Sequence, residues 1–146
     1  MNELKAIHDF NVVAGNEHKP DTALFILYLD LIEEELTELK EAKTQEEVMD
    51  SIGDLLVVVT GAAHAIGKDA EEILRRVNIS NFSKFAQSEY EAFLSLKAYE
   101  SDSRYENVRY EKVGAWYVIR GDKVNGGKNK ILKSINYKEP NWEGLV

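Results

Sequence analysis

The chain has 146 residues, of which 44 % are hydrophobic and 30 % charged, and its 26 acidic and 18 basic side chains give a formal charge of −8. These values are typical of a globular protein and argue against a disordered or collagen-like chain. The negative charge argues against general affinity for nucleic acid polymers or anionic membranes, because phosphate groups would be repelled.

Strong helix formers and capping residues predict four helices in the first part of the chain. Thr44 and Glu47 have the spacing of a capping box that opens the third helix, and Asp69 and Glu72 have the same spacing before the fourth. The short links between the helices favour antiparallel packing, hence a four-helix bundle. The expected spans are Asn2 to about Val13, Thr22 to about Lys43, Thr44 to about Ile66, and Asp69 to about Phe85.

The composition changes after Gln87, where β-branched and aromatic residues become frequent. One more helix, from Ser88 to about Tyr99, and a β-hairpin or three-stranded antiparallel sheet are expected there. The predicted strands cover 106–110, 115–119 and 130–133. The sequence therefore predicts an all-α domain over 1–87 and a small α+β extension over 88–146.

Neither a membrane span nor a secretory signal is expected. No stretch approaches the roughly 20 uncharged apolar residues that a span needs, and the first residues lack a basic segment followed by an apolar one. The chain has no cysteine, which excludes disulfides and thiolate chemistry and fits a cytoplasmic protein.

The acidic residues are concentrated in the first half of the chain. Residues 1–70 carry 15 acidic and 5 basic side chains, whereas residues 71–146 carry 11 acidic and 13 basic ones. On a helical wheel of about 100° per residue, Glu35 and Glu38 continue the apolar stripe that begins with Leu24, Leu27 and Leu31, and Glu34 lies at its margin. The third helix shows the same pattern, because its small apolar residues continue a stripe headed by Glu47, Asp50 and Asp54.

Packing the two helices on these stripes would bring five or six carboxylates together. Like charges a few ångströms apart cost roughly 4 kcal/mol per pair at an effective dielectric near 20, so the cluster calls for a cation. Oxygen-only ligands select Mg²⁺ or Mn²⁺, and a carboxylate-lined Mg²⁺ site indicates phosphate-ester or phosphoanhydride chemistry. Three simpler interpretations stay open: solvation of each acid, capping by Glu47, and a helix-dipole role for Asp50.

The motifs Glu34-Glu35-Leu-Thr-Glu38 and Glu47-Val-Met-Asp50 resemble the paired Glu-x-x-Glu and Glu-x-x-Asp motifs of the all-α nucleoside triphosphate pyrophosphohydrolases. Asn81-Phe-Ser-Lys84 is similar to a stretch in their MazG-like and phosphoribosyl-ATP pyrophosphohydrolase-like members. The same superfamily includes the dimeric dUTPases. The resemblance covers roughly residues 1–85 of this chain.

This resemblance implies a ligand set and a substrate site. The implied Mg²⁺ ligands are Glu35, Glu38, Glu47 and Asp50, with Glu34 as a further ligand or as the base that orients water, and Asp54 as a further or supporting ligand. Glu34, Glu35 and Glu38 are the implied catalytic residues. Asn78, Asn81 and Lys84 become candidates for binding the nucleotide, although end-of-helix capping is an equal alternative for both asparagines.

The resemblance also implies a homodimer or homotetramer. It offers no role for residues 88–146, nor for the three histidines, which lie on different predicted elements and show no metal-ligand spacing. The expected function is Mg²⁺-dependent hydrolysis of a nucleoside triphosphate, ordinary or deoxy, to the monophosphate and pyrophosphate. The alternatives are a non-catalytic helical module that binds a nucleotide or a protein, and a phosphoribosyl-ATP pyrophosphatase.

Overall fold

The computed structural model describes residues 2–146, which form five helices followed by a three-stranded sheet. The helices are α1 (Glu3–Val13), α2 (Thr22–Glu41), α3 (Gln45–Ala65), α4 (Ala70–Phe82) and α5 (Glu89–Tyr99), and the strands are β1 (Tyr105–Val113), β2 (Trp116–Lys123) and β3 (Lys130–Ile131). The contacts divide the chain into a helical unit that runs to Leu74 and includes Leu145, and a C-terminal unit from Arg75 to Gly144 with Val146. The sequence-based division after residue 87 stays a prediction.

Side-chain caps explain where the helices begin. The predicted capping box is confirmed, because the Thr44 side chain accepts from the Glu47 N–H while the Glu47 carboxylate accepts from the Thr44 N–H. Helix α2 begins at Thr22, the residue expected from the sequence. Asp21 is the N-cap and its Oδ1 accepts from the N–H of Leu24, since a carboxylate also favours the positive end of the helix dipole.

The core of the helical unit lies between α2 and α3. Its buried members are Tyr28, Val58, Ala62 and Ala65, with Leu24, Phe25, Leu31, Ile32 and Leu55 packed around them. Gly61 permits the close approach of the helices, because a Cβ atom there would lie 2.2 Å from Cε1 of Tyr28. The aromatic ring of α2 therefore occupies the space that the missing side chain of α3 leaves open.

Helix α3 is long and apolar enough to cross a membrane by length and composition, alone among the helices of residues 2–146. The helix includes Asp50 and Asp54, so it is not an uncharged run, and the expected absence of a membrane span stays a prediction. In the helical unit, however, α3 packs against both α1 and α2 and buries Val58, Ala62 and Ala65. Apolar side chains of α3 thus form part of the core of the helical unit.

The helix and sheet predicted after residue 87 are confirmed. Ser88 caps α5, and the strands form an antiparallel sheet in the order β1-β2-β3, with Tyr110 opposite Ile119. Helix α4 ends at Phe82, three residues earlier than expected, because Ser83 to Phe85 form tight turns and Ala86 then pairs with Tyr117 of β2. The predicted four-helix bundle stays a prediction, whereas the mostly helical fold with a small α+β extension is shown.

Candidate active site

The buried stripe of α2 differs in phase from the predicted one. Tyr28, which lies about 60° from Leu31 around the helix, is buried, whereas Leu27 is 51 % exposed. The stripe runs through Leu24, Tyr28 and Leu31, and Glu35 follows Tyr28 at a spacing of seven residues, which keeps it on the same face. Glu35 is therefore the acidic residue of α2 that continues the buried stripe, whereas Glu38 is exposed.

Glu35 carries a buried oxygen that lacks a partner. Its Oε2 has almost no exposed surface and makes no hydrogen bond within residues 2–146, and no other described side chain has such an atom. An unpaired buried carboxylate oxygen is costly. This atom therefore indicates that the acidic face, which we define as the six acidic candidates of α2 and α3, is built to receive a hydrogen-bond donor or a cation. These residues are Glu34, Glu35, Glu38, Glu47, Asp50 and Asp54.

Neighbouring acids reinforce this indication. Burial raises the pKa of Glu35, and the negative charges around it raise the pKa further; in order of decreasing effect these are Glu38, Asp54, Glu34 and Asp50. The structure thus places four carboxylates from α2 and α3 close enough to repel the charge on Glu35. A cation would reverse the sign of this interaction.

Three of the predicted ligands line one cavity. Glu38, Glu47 and Asp50 border a space of about 370 Å³, together with Glu41, Ala42, Lys43 and Ser51. Glu47 also serves as a cap, since its Oε2 accepts from the N–H of Lys43 at 2.7 Å and of Thr44 at 3.2 Å. A carboxylate has two oxygens and about four acceptor positions, so the cap and a ligand role are chemically compatible.

The donor set suits a hard divalent cation. Every candidate is a carboxylate, and oxygen ligands are those that Mg²⁺ and Mn²⁺ prefer. Within residues 2–146, no three of these carboxylates bring oxygens within 4.8 Å of one another. Mg²⁺ commonly uses one or two carboxylates and retains several waters, so a closed set of protein ligands is not required.

The predicted substrate residues belong to the C-terminal unit. Nζ of Lys84 donates to Oδ1 of Asn81 at 3.0 Å, so these two side chains contact each other directly. Asn78 is exposed on α4, one helical turn before Asn81. Their role towards a nucleotide stays a prediction.

The structure brings together three histidines that the sequence did not connect. His8, His18 and His64 meet in the helical unit, each ring within 5.0 Å of the other two between centroids. They lie on α1, on the α1–α2 loop and on α3, so no spacing within one element could reveal the cluster. The absence of metal-ligand spacing in the sequence therefore does not describe how the three histidines are arranged in space.

Comparison with known proteins places the acidic face in a family. Residues 13–81 match the family described as phosphoribosyl-ATP pyrophosphohydrolase, and this segment contains all six acidic candidates. The chain is also 32 % identical over 96 residues to an uncharacterized protein of Acanthamoeba polyphaga mimivirus. That alignment covers 63 % of this chain and 37 % of the relative, so the chain spans little more than a third of that protein's length.

No solved structure matches the chain. The family match extends from the end of α1 to the last turn of α4 and includes the residues that form the acidic face. Residues 13–81 are therefore a domain of the phosphoribosyl-ATP pyrophosphohydrolase family, which is part of the MazG-like nucleoside triphosphate pyrophosphohydrolase superfamily.

Proposed function

We propose that the protein is a Mg²⁺-dependent pyrophosphohydrolase that converts a nucleoside triphosphate, ordinary or deoxy, and water to the monophosphate and pyrophosphate. The observation that carries the proposal is the buried, unpartnered oxygen of Glu35 among the carboxylates of α2 and α3. It lies in a segment whose family is one of pyrophosphohydrolases. This chemistry fits a housekeeping role in which the protein hydrolyses triphosphates of the cellular nucleotide pool.

The acidic residues divide into ligands and a base. Glu35, Glu38, Glu47 and Asp50 would hold Mg²⁺ or Mn²⁺, with Asp54 as a further or supporting ligand. The bound ion would neutralise phosphate oxygens and make a coordinated water more acidic. Glu34 is exposed at the margin of this face, where it can accept the proton of the attacking water.

The reaction requires no protein nucleophile. The oxygen of water forms a bond to one of the two phosphorus atoms that flank the α–β bridge, and the bond from that phosphorus to the bridging oxygen breaks. The proton of the water passes to Glu34, and the pyrophosphate and the monophosphate leave. Asn78, Asn81 and Lys84 stay candidates for binding the nucleotide, because amide and ammonium groups suit a phosphate or a ribose, and Asn81 and Lys84 bind each other.

A second substrate is favoured by the family itself, whose description names phosphoribosyl-ATP. Hydrolysis of its triphosphate would break the same α–β bond and release the same pyrophosphate. The acidic face acts on the triphosphate in both cases, so it does not distinguish the two substrates. A nucleotide panel that includes phosphoribosyl-ATP does so.

We also propose that the helical unit forms a homodimer or homotetramer. Helices α2 and α3 expose many large apolar side chains, a pattern typical of protein–protein contact surfaces. They are Ile26, Leu27, Leu29, Leu36, Met49, Ile52, Leu56, Val57 and Val59. Sedimentation of the full chain tests this: a dimer or tetramer is expected, and a monomer at all concentrations contradicts it.

The activity is tested by incubating the chain with each common nucleoside and deoxynucleoside triphosphate and with phosphoribosyl-ATP, in Mg²⁺, in Mn²⁺ and in a chelator. Pyrophosphate and monophosphate in equal amounts, with metal only, are expected for at least one substrate. Release of orthophosphate without pyrophosphate, or no turnover of any substrate, would contradict the proposal. In the latter case a non-catalytic binding module would be the better description.

A further inference from the structure

The three histidines of the helical unit form a cluster apart from the acidic face. Nδ1 of His8 lies 3.1 Å from Nδ1 of His64, and a ligand nitrogen of each of the three rings lies within 4.8 Å of the others. The ring centroids are 4.9 to 5.0 Å apart in all three pairs. Three imidazole nitrogens this close together can supply the donor set of a transition-metal ion.

A hydrogen bond to the backbone sets the orientation of His64. Its Nε2 lies 3.0 Å from the carbonyl oxygen of Asn16, and a carbonyl can only accept, so Nε2 carries the proton. Nδ1 is then the ring nitrogen left to act as a ligand, and it lies towards Nδ1 of His8. Metal-ligating histidines commonly fix their second nitrogen in this way.

Asn16 is itself held in place by a buried network. Its Nδ2 donates to Oδ1 of Asn11 at 3.0 Å, and the hydroxyl of Tyr28 donates to the same oxygen at 2.6 Å. Asn11 is buried, and its Nδ2 donates to the carbonyl of Ile7. The α1–α2 loop is thus anchored before His18, so the support for the His64 ring is preorganised.

The same loop is anchored after His18. The N–H of Asp21 donates to the carbonyl of Ala65 at 2.8 Å, and Pro20 pairs with Ile66. Gly67, with φ of +69°, lets the chain turn beside Pro20, whose Cδ would lie 2.9 Å from an added Cβ. These contacts place His18 next to the end of α3, where His64 lies.

The cluster borders a cavity of about 290 Å³ that is also lined by Lys5, Thr60 and Lys68. We infer that His8, His18 and His64 bind one Zn²⁺-like divalent ion through three ring nitrogens, with the fourth position open to water or a small anion in this cavity. Two imidazole nitrogens on a tetrahedral zinc at about 2.0–2.1 Å lie about 3.3 Å apart. The separation between His8 and His64 is already close to this value.

Ligand chemistry separates this site from the proposed Mg²⁺ site. Imidazole nitrogens suit zinc, copper and nickel, whereas Mg²⁺ prefers oxygen ligands. Zinc and magnesium should therefore bind the same chain at different places. The exposed His18 completes the set, and its replacement leaves the buried His64 and its hydrogen bond in place.

The test is a titration of the full chain, first stripped with a chelator, with Zn²⁺ alone in competition with a chromophoric chelator. One tightly bound equivalent is expected, together with a rise in melting temperature. H18A should lose both, and so should H8A. Lys5→Gln, which changes the same cavity without removing a ligand, should retain both. Circular dichroism of each variant checks that the fold is intact.

The double variant Glu38→Gln and Asp50→Asn controls for zinc bound to carboxylates. It should retain the tight equivalent, and Co²⁺ in place of Zn²⁺ should give the visible absorption of a nitrogen-bound, low-coordinate ion that H18A abolishes. No tight equivalent in the wild type, or an equivalent that survives H18A and is lost in the carboxylate variant, would overturn the inference. The histidines would then be a hydrogen-bonded cluster only.

Discussion

The hydroxyl of Tyr28 donates a hydrogen bond of 2.6 Å to Oδ1 of Asn11, which joins the centre of α2 to α1 inside the helical unit. Both residues are buried, with Asn11 only 1 % exposed. The bond satisfies the polar end of an aromatic side chain whose ring packs on Gly61. The Tyr28 side chain therefore links the core of the unit to α1, and Glu35 of the acidic face lies seven residues further along the same helix.

Tyr28→Phe tests the value of this hydrogen bond. The ring packing is kept, and Asn11 Oδ1 still accepts from Asn16, so we expect the free energy of unfolding to fall by about 1 kcal/mol, the usual net value of one hydrogen bond. Urea unfolding followed by circular dichroism measures the change. An unchanged midpoint would show that the bond contributes nothing to stability.

Gly61→Ala tests the close approach of α2 and α3. The new Cβ would lie 2.2 Å from the Tyr28 ring, so the ring must move out of a packed core. Overpacking of this kind costs about 1–3 kcal/mol, which should outweigh the gain in helix propensity of about 1 kcal/mol. We expect a net loss of stability in the same unfolding measurement.

Gly53→Ala is the matched control for this substitution. Gly53 lies on the same helix, but nothing lies within 4 Å of its Cβ position. Only the propensity gain should remain, so the variant should be stabilised by about 0.5–1 kcal/mol. Equal effects of the two alanines would contradict the assigned contact between Gly61 and Tyr28.

Glu35→Gln tests the repulsion on the acidic face in the presence of a chelator. Because the pKa of Glu35 is raised in the folded state, the folded protein binds this proton more readily than the unfolded one. Wild-type stability should therefore rise as the pH falls from above the raised pKa towards the ordinary glutamate pKa. Glu35→Gln removes this dependence, so it should be more stable than the wild type at neutral pH.

The readout is the difference in melting temperature between Glu35→Gln and the wild type over a series of pH values. Glu33→Gln, an exposed acid on the same helix that does not affect the pKa of Glu35, should show no such difference. With Mg²⁺ added, the order should reverse, because the variant loses a ligand. A destabilised Glu35→Gln in chelator would mean that Glu35 is already paired.

The features that depend on local sequence could be predicted. The capping box of Thr44 and Glu47 and the helix expected from about Ser88 are confirmed, because each is determined by residues close together in the sequence. The motifs that carry the family resemblance are local as well, and the family match confirms it. The buried face of α2 was predicted wrongly, because the predicted stripe was aligned on leucines and did not include Tyr28.

The contacts between distant segments could not be predicted in the same way. That Gly61 faces Tyr28 depends on how two helices cross. The meeting of His8, His18 and His64 depends on the path of the α1–α2 loop, which contacts at Ala65 and Ile66 determine. Neither the contact between Gly61 and Tyr28 nor the histidine cluster produces a periodic pattern within one segment of the sequence.

The most direct measurement is the rate of pyrophosphate release from the best substrate in Mg²⁺, compared between the wild type, the double variant Glu38→Gln and Asp50→Asn, and Glu33→Gln. We expect the double variant to lose at least about 100-fold in kcat/KM, corresponding to more than about 2.7 kcal/mol of transition-state stabilisation, with its fold intact. Glu33→Gln should keep the wild-type rate. Pyrophosphate release that is unchanged in the double variant, or equal with and without Mg²⁺, would contradict the carboxylate site.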